Sequence, residues 1–258
     1  MGRILALLYG VISYLCFFAA FLYLIGFMEN LLVPKSIDSG EPASLGMGII
    51  VNFLLIALFG VQHSIMARPG FKKWLTSFMS PAVERSTFVL MSSVALSVLY
   101  IFWLPLPDVV WKVENNIARI VLHSLFWFGL GLILLATFII NHFDLFGLRQ
   151  VWLYFTGKGY VNLVFKMPLF YKIVRHPMML GILIAFWATP DMTVGHLMFS
   201  LGMTIYVFIG TQFEERDLVA AHGEAYRRYQ RDVPMLIPLP GKAGSLEIKE
   251  TAAKRKEA

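Results

Sequence analysis

Arg175, His176, Glu214 and Glu215 bracket one apolar passage of the chain, and Tyr226 and Tyr229 follow it closely. Ionisable groups beside membrane-length apolar segments are costly to place and mark sites by default. An apolar path that runs out and back returns both clusters to one membrane face. There the carboxylates would accept from ammonium or hydroxyl groups, and the guanidinium and imidazole would donate to a carboxylate. Tyr226 and Tyr229 share a helical face and offer aromatic surface. A plainer reading stands beside this one. The charges would form a salt bridge tying the hairpin ends together, and the tyrosines would pack an amphipathic helix.

The elements that must position these groups are membrane spans. The chain is 58% hydrophobic and 15% charged, with a mean hydropathy of +0.68, too apolar for a soluble domain of this size. A hydrocarbon core of ~30 Å takes roughly 20 helical residues. Apolar runs near 4–27, 45–65, 87–104, 117–140, 178–189 and 194–213 predict about six transmembrane helices in an all-α integral membrane protein. The first is too long for a signal-peptide core and lacks a cleavage site, so it reads as a retained helix. The fifth is short, is interrupted at Pro190 and Asp191, and forms a helical hairpin with the sixth. Short interrupted segments are tolerated at membrane depth where they line a cavity or pack within protein. The single cysteine, Cys16, excludes an intrachain disulfide.

Charge predicts the orientation. Arg68, Lys72, Lys73 and Arg85 lie between the second and third spans, and Arg149, Lys158, Lys166, Lys172 and Arg175 between the fourth and fifth. The alternate loops carry Glu29, Lys35, Asp38 and Glu41, then Asp108, Lys112 and Glu114. The Lys/Arg excess places the first set of loops, both termini and the C-terminal helix in the cytoplasm. The net charge of +6 then mostly reflects topology, not nucleic-acid binding. On this topology His63, His142 and Asp144 reach the same face as the Arg-His and Glu-Glu pairs. His123 and His196 fall on the opposite face and read as structural.

The reading is of one helical membrane domain over 1–240 and a flexible polar tail over 241–258. The connector at 141–174 mixes aromatics, glycines and charges, with Trp152, Tyr154, Phe155 and Tyr160 suited to an interface. It reads either as an interfacial anchor or as a lid over a cavity.

Residues Arg175, His176, Pro177 and Gly181, followed by Glu214, Glu215, Leu218, Gly223, Tyr226, Tyr229, Val233, Pro234, Ile237 and Pro238, resemble the isoprenylcysteine carboxyl methyltransferase superfamily. Its pattern is an Arg-His-Pro element, a helical hairpin and a Glu-Glu element. The chain departs from it at Met179, where many relatives carry Tyr. Within the superfamily, Gln62 through Trp74 and Asn141 through Leu153 look most like the bacterial methanethiol S-methyltransferases, which make dimethyl sulfide. The resemblance implies a bacterial inner-membrane enzyme using S-adenosylmethionine as methyl donor and a small thiol as acceptor, amid membrane lipid. It implies a cofactor region over 141–238, with His176, Pro177, Gly181, Glu214, Glu215, Tyr226 and Tyr229 as binding residues.

A thiol acceptor needs its thiolate, because an unactivated thiol of pKa ~8.5 or above is mostly protonated near neutrality. His142 with Asp144 nearby is the first choice of base and His63 the second, with Arg175 a positioning group. No glycine-rich loop follows a strand, so no doubly wound methyltransferase fold competes. No spacing of the six histidines supplies a familiar metal shell, and the transfer needs no metal. Three alternatives remain open: a lipid-linked or prenylcysteine acceptor, a membrane reductase of the sterol type, and a non-enzymatic accessory protein.

Overall fold

The computed structural model describes residues 2–161 and 169–238. The expected tail at 241–258 and the connector residues 162–168 lie outside the described residues. Among the described residues, five helices are long and apolar enough to cross a membrane: α1 (Arg3–Glu29), α2 (Leu45–Ala67), α4 (Pro81–Phe102), α5 (Asn116–Ile140) and α9 (Val194–His222). Between them lie α3 (Pro69–Leu75), α6 (His142–Leu145), α7 (Leu148–Phe155), a 3-10 turn (Leu169–Lys172) and α8 (Pro177–Trp187), and α10 (Glu224–Asp232) follows. The fifth expected span is α8, an apolar helix of 11 residues, shorter than the roughly 20 needed for a crossing.

Helix boundaries follow local chemistry. The third span was expected from residue 87, but α4 starts at Pro81. The Ser80 hydroxyl caps Ala82 N, and Pro81 suits a first helical turn, whose N–H needs no partner. The last long helix was expected to end near residue 213. It continues to His222 because Gln212 through Ala221 are mostly strong helix formers, whatever their polarity. Gly223 then turns the chain at φ +56°, a conformation that side chains rarely adopt, and α10 begins. Pro177 starts α8, with His176 at its cap.

By its contacts the chain divides into two compact units. The first takes 2–119, 141–161 and 189–206. Here α1 packs on α4 and α7, and α2 packs on α4. Buried Ser86, Ser92, Ser93 and Ala95 keep the α4 surface low, which lets helices approach where lipid supplies no hydrophobic drive. Asn52, fully buried within α2, accepts from Leu104 N at 2.9 Å and donates to Leu104 O at 2.7 Å. It thereby pairs backbone groups left open where α4 ends. Two short strands, which sequence patterning did not reveal, also belong to this unit. β1 (Val109–Lys112) pairs antiparallel with β2 (Asp191–Thr193). Arg119 clamps Asp191 with two bonds, at 2.9 and 2.6 Å.

The second unit takes 120–140, 169–188 and 207–238. Its helices α5 and α8 meet backbone to backbone. A Cβ on Gly181 would lie 2.6 Å from Gly129 O, and one on Gly129 would lie 2.7 Å from Gly181 O. Only glycine permits that approach. Tyr226, Tyr229 and Val233 bury themselves with Leu218 and Val219, seating α10 on the end of α9.

Candidate active site

In the second unit the Arg-His and Glu-Glu elements meet. Arg175 N donates to Pro234 O at 2.9 Å and His176 N to Met235 O at 3.1 Å, so the strand-like entry to α8 is bound to the chain leaving α10. This fixes the start of α8 beside α9. Arg175 then donates from Nε to Glu215 Oε1 at 2.5 Å and from Nη2 to Glu215 Oε2 at 2.9 Å. Its Nη1 donates to Gln230 O at 3.0 Å and also to Val233 O.

Glu215 is the hub of the cluster. Besides Arg175, its carboxylate accepts from His176 Nε2 at 3.0 Å, Tyr226 Oη at 3.2 Å and Gln230 Nε2 at 2.8 Å. A buried carboxylate is tolerable only when its lone pairs are met in this way. Burial first, and then the Glu215 carboxylate, push the Tyr226 phenol above its usual range, so it stays a protonated donor. Burial raises the Tyr229 phenol too, and its hydroxyl donates to Tyr171 O at 2.5 Å.

Glu214 is placed differently. Its side chain is 49% exposed, and Oε2 stands 3.6 Å from His176 Nδ1. One glutamate is therefore saturated by protein groups and its neighbour is open. A groove of about 230 Å³ runs alongside, lined by Gln212, Glu215, Arg216, Val219 and Gln230.

The histidines proposed from sequence as bases lie in the first unit. His142 is buried at the start of α6, with Nε2 2.8 Å from Tyr14 Oη and the Phe146 ring 4.8 Å away. Burial holds its imidazole below the usual histidine range, which favours the neutral, basic form. Asp144 engages other groups: Asn141 caps its N–H, Arg149 donates to Oδ1 at 2.8 Å, and Tyr160 donates to Oδ2 at 3.3 Å. His63 Nδ1 stands 2.9 Å from Ser92 Oγ, whose hydroxyl donates to Phe88 O at 2.8 Å. A hydroxyl has one proton, so His63 Nδ1 must be the donor to Ser92. The neutral ring then carries its free lone pair on Nε2.

A family model described as NnrU protein matches residues 52–236. The chain is 51% identical to the methanethiol S-methyltransferase of Mycobacterium tuberculosis, over 93% of this chain and 98% of that protein. It is 53% identical to the methanethiol S-methyltransferase of Pseudomonas deceptionensis, over 92% of this chain and 90% of that protein. The chain belongs to the NnrU protein family. Bovine nurim is a more distant likeness, 27% identical over 73% of this chain and 74% of that one. No solved structure matches.

In this NnrU-family chain the structure brings together Arg175, His176, Glu215 and Tyr226, with Glu214 at the edge. Pro177 starts α8, Gly181 packs on Gly129, and Tyr229 braces Tyr171. Sequence reasoning missed Gln230, although it lies four residues after Tyr226 and so on the same helical face. It also missed Tyr14 and Ser92, which partner His142 and His63 from distant parts of the chain. Each sits in an apolar run beside a second hydroxyl, Ser13 next to Tyr14 and Ser93 next to Ser92, and that doublet was the available signal.

Proposed function

We propose that this protein is a multi-pass membrane enzyme that transfers the methyl group of S-adenosylmethionine to methanethiol, giving dimethyl sulfide. The observation that carries this reading is the roughly 50% identity to proteins named methanethiol S-methyltransferase, sustained over more than nine-tenths of the chain. The donor set supports the choice of methyl donor. S-adenosylmethionine presents an ammonium, a carboxylate, a ribose diol and a sulfonium. Glu214 offers an exposed carboxylate to the ammonium or the diol, while Arg216 lines the adjacent groove and can donate to the carboxylate. The Arg175–Glu215 pair holds the frame, and His176 orients from within it.

The sulfonium already activates the methyl group, so the protein must align the acceptor, exclude water and deliver a thiolate. His142, kept neutral by burial, is the proposed base, with His63 as the second candidate. Asp144 sets the α6–α7 turn through Arg149. In this reading 1–240 is one helical membrane domain of the bacterial inner membrane. Helix α8 completes a sixth span, and α10 lies in the cytoplasm with both termini. The Lys/Arg bias of the loops supports that orientation. Membranes containing the protein, supplied with labelled donor and a panel of acceptors, test the assignment. Methanethiol should be methylated, and a prenylcysteine methylated in its place would replace the acceptor.

A further inference from the structure

Arg85, half-buried in the second turn of α4, holds its guanidinium carbon 5.7 Å from the Phe88 ring centroid. The same ring lies 4.6 Å from the His63 ring, centroid to centroid. Phe59 and Tyr206 stand 5.4 and 5.9 Å from that imidazole. A cation is thus set beside a cluster of packed aromatic rings. The α6–α7 turn abuts the same stretch: a Cβ on Gly147 would lie 2.7 Å from Ser86 Oγ and 3.2 Å from the Arg85 carbonyl carbon. His63 thus shares an aromatic neighbour with Arg85, and the turn that follows His142's helix meets the Arg85 backbone.

Glu84 precedes Arg85 on α4, His63 on α2 shares the Phe88 ring with it, and Tyr9 on α1 bonds Thr87 two residues on, while Asp144, Arg149 and Tyr160 bond one another across α6, α7 and the chain after it. Arg119, Arg149 and Arg175 each hold a carboxylate: Asp191, Asp144 and Glu215. Among the described residues, no carboxylate forms an ion pair with Arg85. A cation partly removed from water is costly without an anion, and a phenyl face compensates only in part.

We infer that Arg85 holds the acceptor's sulfur as its thiolate, with Phe88 and its aromatic neighbours enclosing the small alkyl group. This rests on the methyltransferase reading above. The thiol proton passes to the histidine base, and a sulfur lone pair forms the new S–C bond. The sulfonium C–S bond breaks, leaving its electron pair on the departing sulfur. The product thioether is neutral, so its attraction to Arg85 is lost on transfer, which favours release.

The test compares purified wild type, Arg85→Gln and Arg85→Lys with methanethiol from about pH 6 to about pH 10. Arg85→Gln should reach its plateau of kcat/KM about one pH unit higher, with a roughly tenfold loss at neutral pH that closes on the alkaline side. Arg85→Lys should recover much of the difference. An equal fractional loss at every pH, as expected of an arginine that only anchors a lipid phosphate, would overturn the inference. If wild type makes no dimethyl sulfide, the transfer reading itself falls, and binding still decides Arg85. Methanethiol should protect wild type against heat more strongly at alkaline than at neutral pH, and Arg85→Gln should lack that dependence. The same dependence in both proteins would remove Arg85 from the site.

Discussion

Arg175 and Glu215, separated by 40 residues in the chain, form a two-point ion pair with each side chain only 9% exposed. The pair closes the passage from α8 into α9, and three further side chains converge on its carboxylate. Its loss should therefore be felt as stability before it is felt as chemistry. Removing one partner of such a buried pair costs about 3–5 kcal/mol. Glu215→Ala and Arg175→Ala should both lower the thermal midpoint of purified protein sharply. Midpoints equal to wild type would show that the pair does not hold the fold.

Glu214 should behave in the opposite way. Its carboxylate is half-exposed beside His176, so Glu214→Ala should leave the thermal midpoint nearly unchanged. Losing one charge-assisted bond should weaken S-adenosylmethionine binding by roughly 10- to 150-fold, about 1.5–3 kcal/mol. Calorimetry on folded protein reads this directly. Unchanged affinity would remove Glu214 from the cofactor site.

His142 carries a pH prediction. Burial lowers its pKa in the folded state, so the unfolded chain takes up the proton first as pH falls. The contribution of the neutral buried ring is thus fully present above the unfolded value of about 6.5 and declines below it. His142→Ala should flatten that acid-side loss of stability. As a base, His142 should contribute ~10²–10⁴-fold to turnover near neutrality. The variant's deficit should shrink as pH rises and solution supplies thiolate ready-made. A deficit that stays flat into the alkaline range would assign His142 to packing alone.

Gly181 tests the contact between α5 and α8. A Cβ there would stand 2.6 Å from Gly129 O and 3.0 Å from the Ile133 side chain. The first of these is backbone, which cannot swing aside. Gly181→Ala should lower the thermal midpoint, and Gly181→Val should lower it further. Full stability in the valine variant would contradict the packing.

The orientation predicts that cysteines replacing Asp38 and Asp108 react with an impermeant reagent in intact cells, while cysteines replacing Lys72 and Lys158 do not. The reverse pattern would invert the topology.

Much of the fold was legible because membrane helices announce themselves by length and apolarity, independently of their partners. The continuation of α9 past Phe213 was not, because helical propensity there persists after hydrophobicity ends. The strands were hidden by brevity: Asp191–Thr193 is too short to show alternation. The convergence of Arg175, His176 and Glu215 was readable from an out-and-back path. The division of labour between Glu214 and Glu215 was not, since adjacent residues on a helix differ by their facing, which depends on what packs there. His142 and Asp144 looked like a pair by proximity in sequence. Asn141 caps the turn, and Arg149 from the next helix takes the carboxylate.

Methyl groups should move from S-adenosylmethionine to methanethiol on this protein. Purified protein should be supplied with methanethiol and donor carrying a carbon-13 methyl group, and the volatile product collected for mass spectrometry. The expected product is dimethyl sulfide with one labelled and one unlabelled methyl, formed in proportion to protein and lost in Glu214→Ala at limiting donor. Unlabelled product, or none above a protein-free control while the protein remains folded, would contradict it.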